Sequence, residues 1–331
     1  MDGNGNLRLA IPSDGALYEP TQSFLRSCGL GVSRTNLRRY TADIPALPGV
    51  SVLFQRSADI TPKVEEGSAD IGIVGLDRYL EMRREGGDTN VVVDDLGFGQ
   101  CQLVIGVPDS WVDVTSLADL SDLCMEFRQD GGDLRVVTKY PRLVERFLLS
   151  NGVNFFSLVH SSGTLEAAPA MGFADIIVDV SESGTTMREN RLKTIVGGSI
   201  MMSKACLIGN RRLLRENKGK LDIAKSLVDV VEAYLQSRNY FSVTANMRGE
   251  TPEDVGRYIL EQTDISGLRG PTISKVFTSD GQSWFAVTII VEQDKLLGVV
   301  GSLRKLGGSS VTVSHPNYVF HSECKAHKRL A

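Results

Sequence analysis

The sequence predicts an α/β architecture, a largely parallel sheet layered with helices, followed by a smaller βαββαβ module. Three observations carry this expectation. Short apolar, β-branched runs alternate with amphipathic stretches up to about residue 210. The stretch Asn210–Asn239 then places Leu221, Ala224, Leu227, Val228, Val231 and Leu235 at spacings of three and four, the stripe of one long packed helix. Beyond it the signals run strand, helix, strand, strand, helix, strand, the ferredoxin-like order, with Ser279-Asp280-Gly281-Gln282 turning the central hairpin.

Taken in order, the apolar runs predict strands at Leu7–Ile11, Val50–Gln55, Asp70–Val74, Val91–Leu96, Gln102–Val107, Leu134–Thr138, Asn154–Val159, Asp175–Val180 and Ala205–Ile208. Amphipathic stretches between them predict helices at Tyr18–Cys28, Leu76–Arg84, Arg142–Ser150 and Leu165–Met171. Ser121–Asp133, with its charges and the Gly131–Gly132 pair, reads as a surface excursion. After the long helix come strands at Phe241–Ala245, Thr272–Thr278, Trp284–Val291 and Ser310–Ser314, with helices at Pro252–Thr263 and Asp294–Leu306. Trp284 is expected in the core of this module. No internal repeat and no low-complexity segment is evident.

The chain has 331 residues, 42% hydrophobic and 23% charged, enough for two or three domains that bury their own cores. Its 36 basic and 40 acidic side chains leave a charge of −4, which disfavours nucleic acid as partner but leaves room for a small phosphorylated ligand in a local pocket. Five cysteines without CxxC spacing point to neither a disulfide framework nor a zinc site, and His160, His315, His321 and His327 read as surface histidines. The first residues lack a signal-peptide pattern and no apolar run approaches a membrane span, so the expectation is a cytoplasmic protein with no membrane partner.

The most informative stretch is Ala174-Asp-Ile-Ile-Val-Asp-Val-Ser-Glu-Ser-Gly-Thr-Thr-Met-Arg188, an apolar strand entering a hydroxyl-rich loop and then a helix. Asp175 and Asp179 share one face of the strand, because residues two apart point the same way. Two readings stand. Ser183, Gly184, Thr185 and Thr186 can cradle a phosphate with N–H groups and hydroxyls while Asp179 accepts from ribose hydroxyls, or the loop is an ordinary helix cap with the aspartates facing solvent.

The segments Ala10-Ile-Pro, Leu53-Phe-Gln-Arg-Ser-Ala-Asp-Ile60, Ala69-Asp-Ile-Gly-Ile-Val-Gly-Leu-Asp77, Asp95-Leu-Gly-Phe-Gly-Gln-Cys101, Thr138-Lys-Tyr-Pro141, Ser162-Gly-Thr-Leu-Glu-Ala-Ala-Pro169 and the Asp175–Thr186 loop occur in order, with Leu268-Arg-Gly-Pro-Thr-Ile-Ser274 and Trp284-Phe-Ala-Val287 behind them. In these the sequence resembles the ATP phosphoribosyltransferases of histidine biosynthesis, in the long form with a C-terminal regulatory domain. The resemblance implies condensation of ATP with 5-phosphoribosyl pyrophosphate to N1-(5-phosphoribosyl)-ATP and pyrophosphate, with Mg²⁺ as cofactor. It puts the 5-phosphate on Ser183 to Thr186 and the ribose on Asp175 and Asp179. Arg56 becomes a phosphate clamp, against the alternative of a surface arginine. Asp77 is either a cleft residue or a helix cap; Tyr140 positions a base or opens a helix; Glu166 is a site acid or a capping-box member.

The resemblance further implies two lobes of the periplasmic-binding-protein kind: residues 1–99 with 196–235 as a discontinuous first lobe, 100–195 as the second, and 236–331 as the ferredoxin-like regulatory domain. The chain would cross between lobes near Leu96–Leu103 and Lys193–Ser203. Inhibition by histidine, with Thr272 and Ser274 as candidate contacts, and a hexamer with a dimer form also follow. One departure stands out. The first loop reads Ser13-Asp-Gly-Ala16, so Asp14 and Ala16 flank Gly15 where the family commonly has positive charge. Another cation, a metal near Asp14, or reduced catalysis would each account for it. The competing class is a non-enzymatic two-lobed sensor carrying a regulatory module.

Overall fold

The computed structural model describes residues 5–36, 38–160, 165–261, 268, 270–279 and 281–330. The chain forms two compact units, Met1–Ser226 with Ala326–Ala331, and Leu227–Lys325.

In the first unit, β1 (Leu7–Pro12), α1 (Tyr18–Ser27), β2 (Thr41–Asp43), β3 (Val50–Gln55), α2 (Ser57–Glu65), β4 (Ile71–Gly75), α3 (Leu76–Met82) and β5 (Thr89–Val93) open the first lobe. The chain then builds the second lobe from β6 (Cys101–Pro108), α4 (Leu117–Gln129), β7 (Leu134–Thr138), α5 (Pro141–Ser150), β8 (Phe156–His160), β9 (Ile176–Ser181), α6 (Thr185–Glu189) and β10 (Leu192–Ser203). It returns through β11 (Ala205–Asn210), α7 (Arg211–Glu216) and α8 (Lys218–Ser237). The first lobe's six-stranded sheet runs β2-β3-β1-β4-β11-β5, and the second lobe's five-stranded sheet runs β10-β6-β9-β7-β8. These are two α/β lobes, each a sheet layered with helices. Each sheet is mixed: β1 pairs parallel with β3 and β4, and β7 with β8 and β9, but the strands next to the crossings, β11, β6 and β10, pair antiparallel.

Three local readings are corrected. The expected surface excursion at Ser121–Asp133 is mostly α4: a reciprocal capping box between Ser116 and Asp119 starts it, and Leu120 and Cys124 bury its inner face. Leu165–Met171 forms consecutive turns in place of a helix, since Pro169 has no N–H to give and disfavours the helical conformation before it. The long helix is two, because Asn217 is extended and its Oδ1 then accepts from Lys220 N at 3.1 Å, capping the first turn of α8. Finally, the lobes share a structural device that the residue pattern conceals. Arg8 on β1 donates from its backbone N, Nε and Nη2 to Asp70 just before β4, and from Nη2 to Gly67 O. Arg135 on β7 repeats this with Asp175 just before β9 and Gly172 O. Burial works against the Asp70 charge, yet Arg8 and Lys220 together hold its carboxyl below the ordinary range.

The second unit adds β12 (Tyr240–Arg248), α9 (Pro252–Leu260), β13 (Thr272–Val276), β14 (Trp284–Glu292), α10 (Leu296–Lys305) and β15 (Ser309–Ser314). The antiparallel order β13-β14-β12-β15 is that of a ferredoxin-like sheet. Val243, Ala245, Phe285, Val287 and Ile289 alternate onto one face and pack with Val255, Ile259, Val299 and Leu303 of α9 and α10. Trp284 points to the opposite face, half-buried, with the Arg248 guanidinium 4.8 Å from its ring, so it is outside that core. The end of the predicted Pro252–Thr263 helix and Asp280 of the hairpin turn lie outside the described residues.

The last turn of chain, α11 (His327–Leu330), belongs to the first unit. Leu330 is fully buried there, Asn90 Nδ2 donates to Arg329 O at 2.6 Å, and Arg329 reaches Asp94 at 3.6 Å. No helix among the described residues is long and apolar enough to cross a membrane.

Candidate active site

A cavity of about 550 Å³ opens between the two lobes of the first unit. The first lobe contributes Gly15, Ala16, Leu17, Ser57, Gly75, Asp77 and Arg78, together with Gly99 on the crossing between lobes. The second lobe contributes Lys139, Tyr140, Glu166 and the run Val180–Met187.

The run from β9 to α6 forms because an apolar strand, buried on both faces, must release its chain at the sheet edge. Gly184 makes the turn at φ +73°, a left-handed conformation open to glycine at little cost. The turn is held from within. Gly184 N donates to Ser181 Oγ at 3.0 Å, Ser183 Oγ and Thr185 Oγ1 are 2.9 Å apart, and Arg188 Nη2 donates to Thr185 Oγ1 at 3.2 Å. Ser183, Thr185 and Thr186 remain exposed to the cavity.

Asp179 lies behind this loop on β9 and is 8% exposed. Burial pushes its carboxyl above the ordinary carboxylate range, although the Val180 N–H at 2.8 Å and Lys139, 3.7 Å away, favour the charged form. Nearby Glu166 pushes the same way as burial. Asp175 has a different fate. It shares the β9 face with Asp179 but sits at the other end of the strand, held by Arg135 and not lining the cavity.

The lobes meet along α3 and α5. Tyr140, 2% exposed, donates from its hydroxyl to Asp77 Oδ2 at 2.6 Å, and Ser203 Oγ donates to Asp77 Oδ1 at 2.6 Å. Burial, with Asp77 beside it, holds the Tyr140 hydroxyl protonated far above its usual range, so it acts as a donor. One turn on, the buried Glu81 accepts from the backbone N–H groups of Arg142 and Leu143 at 3.0 Å each, so a carboxylate of one lobe caps a helix of the other. Cys101, at the mouth of the cavity, is pushed up to about 11 by burial and Asp77, and stays a thiol.

The cavity thus brings together Gly15, Asp77, Tyr140, Glu166, Ser183, Gly184, Thr185 and Thr186, with Asp179 behind them. Asp14 is exposed one residue outside the lining, and Arg56 is exposed at the head of α2, where its neighbour Ser57 lines the wall. Residues 162–164 of the Ser162–Pro169 segment lie outside the described residues. Sequence reasoning passed over Arg78 and Lys139, both half-buried in the wall. Each stands next to a residue that was singled out, Asp77 and Tyr140, and their charge was the available signal. In the second unit, Thr272 lines a separate cavity of about 740 Å³ with Thr288, Ile290, Tyr318, Phe320 and His321, whereas Ser274 is exposed two residues along the edge strand and is not part of its wall.

A family model described as ATP phosphoribosyltransferase matches residues 56–232, and one described as HisG, C-terminal domain, matches residues 237–316. "ATP phosphoribosyltransferase 2, chloroplastic" of Arabidopsis thaliana is 39% identical over 327 residues, covering 97% of this chain and 79% of that protein. The ATP phosphoribosyltransferase of Methanosarcina barkeri is 33% identical over 309 residues, covering 93% and 97%. Among solved structures, the ATP phosphoribosyl transferase (HisG:HisZ) complex from Thermotoga maritima shares the fold at TM-score 0.50 and 23% identity, over 68% of this chain and 98% of that one.

Proposed function

The chain belongs to the ATP phosphoribosyltransferase family, and from that membership we propose how its inter-lobe cavity carries the reaction. The enzyme condenses ATP with 5-phosphoribosyl pyrophosphate, giving N1-(5-phosphoribosyl)-ATP and pyrophosphate, the first step of histidine biosynthesis.

One observation carries the site assignment: a left-handed Gly184 presents a hydroxyl-lined turn to the cavity, with the buried Asp179 directly behind it. On our reading the 5-phosphate binds the N–H groups and hydroxyls of Ser183, Thr185 and Thr186, and Asp179 accepts from the ribose hydroxyls. Asp175 is left out, because Arg135 already claims both of its oxygens. The 5-phosphate then anchors the ribose while adenine N1 displaces pyrophosphate at C1. Positive charge develops on the ribose and negative charge on the leaving group, so the protein's task is orientation and charge stabilisation. No strong base is needed, which suits a wall whose Tyr140 and Cys101 both keep their protons. Gly15 and Gly99 give the adenine side of the cavity a low profile. At Gly99 a side chain would run into Leu17, 2.5 Å from the position of its Cβ.

The donor set suits Mg²⁺. Glu166 and Glu182 line the cavity as hard oxygen donors with no cationic partner among the described residues, whereas both Asp77 oxygens are taken. Held by these carboxylates and substrate phosphates, the ion would neutralise charge on the departing pyrophosphate. We further propose that Arg56 swings from the head of α2 to a phosphate, and that histidine binds the second unit's cavity at Thr272 and inhibits. A hexamer and a cytoplasmic location, which the buried thiols of Cys28, Cys124 and Cys206 suit, complete the proposal.

The test is formation of phosphoribosyl-ATP from ATP, 5-phosphoribosyl pyrophosphate and Mg²⁺ by the full chain, beside calorimetric titration with ribose 5-phosphate. Turnover with binding that Thr185→Ala weakens supports the assignment; turnover with binding indifferent to the loop overturns it.

A further inference from the structure

We propose that Arg78, from the wall of the cavity, helps bind the pyrophosphate group of the substrate beside the Arg56 clamp, an inference that rests on the phosphoribosyl reading above. A 5-phosphate seated on the second-lobe loop leaves the C1 pyrophosphate at the opposite end of the ribose, toward the first lobe. A group of such charge density needs a cation there. Among the described residues, two basic side chains line the cavity, Arg78 and Lys139. Lys139 is already paired with Asp179 at 3.7 Å, on the ribose side. Arg78 makes no ion pair among the described residues, although Asp77, Glu166 and Glu182 all line the same wall.

Its guanidinium is instead held in place by neutral groups. The Cζ atom lies 4.2 Å from the centre of the Tyr140 ring, and Nη1 donates to Lys139 O at 3.1 Å. Tyr140 is itself fixed by its hydroxyl bond to Asp77. The fork is therefore oriented by stacking and one carbonyl, its charge acts on Asp179 through space without a direct ion pair among the described residues, and most of its N–H donors are free for phosphate oxygens. A purely structural arginine at a seam between lobes would be expected to bridge to one of the three carboxylates around it. This one does not.

Calorimetry on the full-length protein in magnesium buffer separates the two ends of the ribose with two probes, inorganic pyrophosphate and ribose 5-phosphate. Arg78→Met should raise the Kd of pyrophosphate roughly ten- to hundredfold, the loss of charged hydrogen bonds. It should leave the Kd of ribose 5-phosphate within about twofold. Arg78→Lys should recover part of the pyrophosphate affinity, since the charge returns without the fork. Unchanged pyrophosphate binding in Arg78→Met overturns the proposal, and so does an equal weakening of both ligands, which would mark Arg78 as a strut of the seam. If Arg78→Met does not fold, Arg78→Gln and Arg78→Lys carry the same comparison. Absence of phosphoribosyl-ATP synthesis by the wild type would sink the underlying reading instead, and is scored separately.

Discussion

Replacing Gly184 by alanine tests the loop assignment most directly. Two effects act on the new methyl group. Its Cβ would stand 3.0 Å from Arg188 Nη1, the far end of a flexible side chain, so Arg188 can turn aside at the cost of its 3.2 Å bond to Thr185. The backbone has no such escape at φ +73°. A non-glycine residue there costs roughly 1–2 kcal/mol. That exceeds the net worth of one exposed hydrogen bond, so the backbone term decides. It is small beside a typical global stability of about 5–15 kcal/mol, and the protein stays folded. It is large for a local turn, which shifts to another conformation and offers the phosphate its binding geometry only in a minority of molecules. The apparent Kd of ribose 5-phosphate should rise about 5–30-fold, in proportion to the lost population. Gly184→Asn should lose less, because asparagine tolerates the left-handed region. Calorimetry reads the affinities and thermal melting confirms the fold. Wild-type affinity in a folded Gly184→Ala protein would refute the claim that this turn binds the phosphate.

Other outcomes follow from the same geometry. Thr185→Ala removes one charge-assisted hydrogen bond and should weaken 5-phosphoribosyl pyrophosphate by about 1.5–3 kcal/mol, read as Kd by calorimetry. Asp179 has a folded pKa above its unfolded one, so its ionisation costs stability at neutral pH, and that cost disappears as pH falls through the folded value. Asp179→Asn should therefore melt at a higher temperature than wild type at pH 7 but not in acid, while losing ribose binding; a lower melting temperature at pH 7 would reverse the sign of this argument. Glu81→Ala uncaps α5 at the seam and leaves two N–H groups without their acceptor, which should lower stability by roughly 2 kcal/mol in urea unfolding.

The loop from Val180 to Thr186 was legible because its signal is local: an apolar run, then small hydroxyl residues around a glycine. The strand period likewise placed Asp175 and Asp179 on one face. What it could not convey is that Arg135, on a neighbouring strand, binds one of them, because that pairing exists only once β7 and β9 lie side by side. The same holds for Arg8 and Asp70, which are 62 residues apart. Helix α4 was hidden by polar surface residues, although Ser116-Leu-Ala-Asp119 does carry a capping-box pattern. Strand β10 was obscured by Gly197 and Gly198, where its pairing with β6 shifts register. Arg78 and Lys139 look like any surface cations until two separate lobes place them in one cavity.

The return of α11 to the first unit means that the ferredoxin-like unit is an insertion: chain precedes it and follows it within the same body. A stop codon after α8 is therefore not a clean excision. It also strips away Leu330, uncovering an apolar seat beside β5, and releases Asn90 and Asp94 from Arg329. Lost activity in such a truncation would confound removal of a regulator with damage to the catalytic body. An excision that rejoins the flanking chain and keeps residues 326–331 would separate the two.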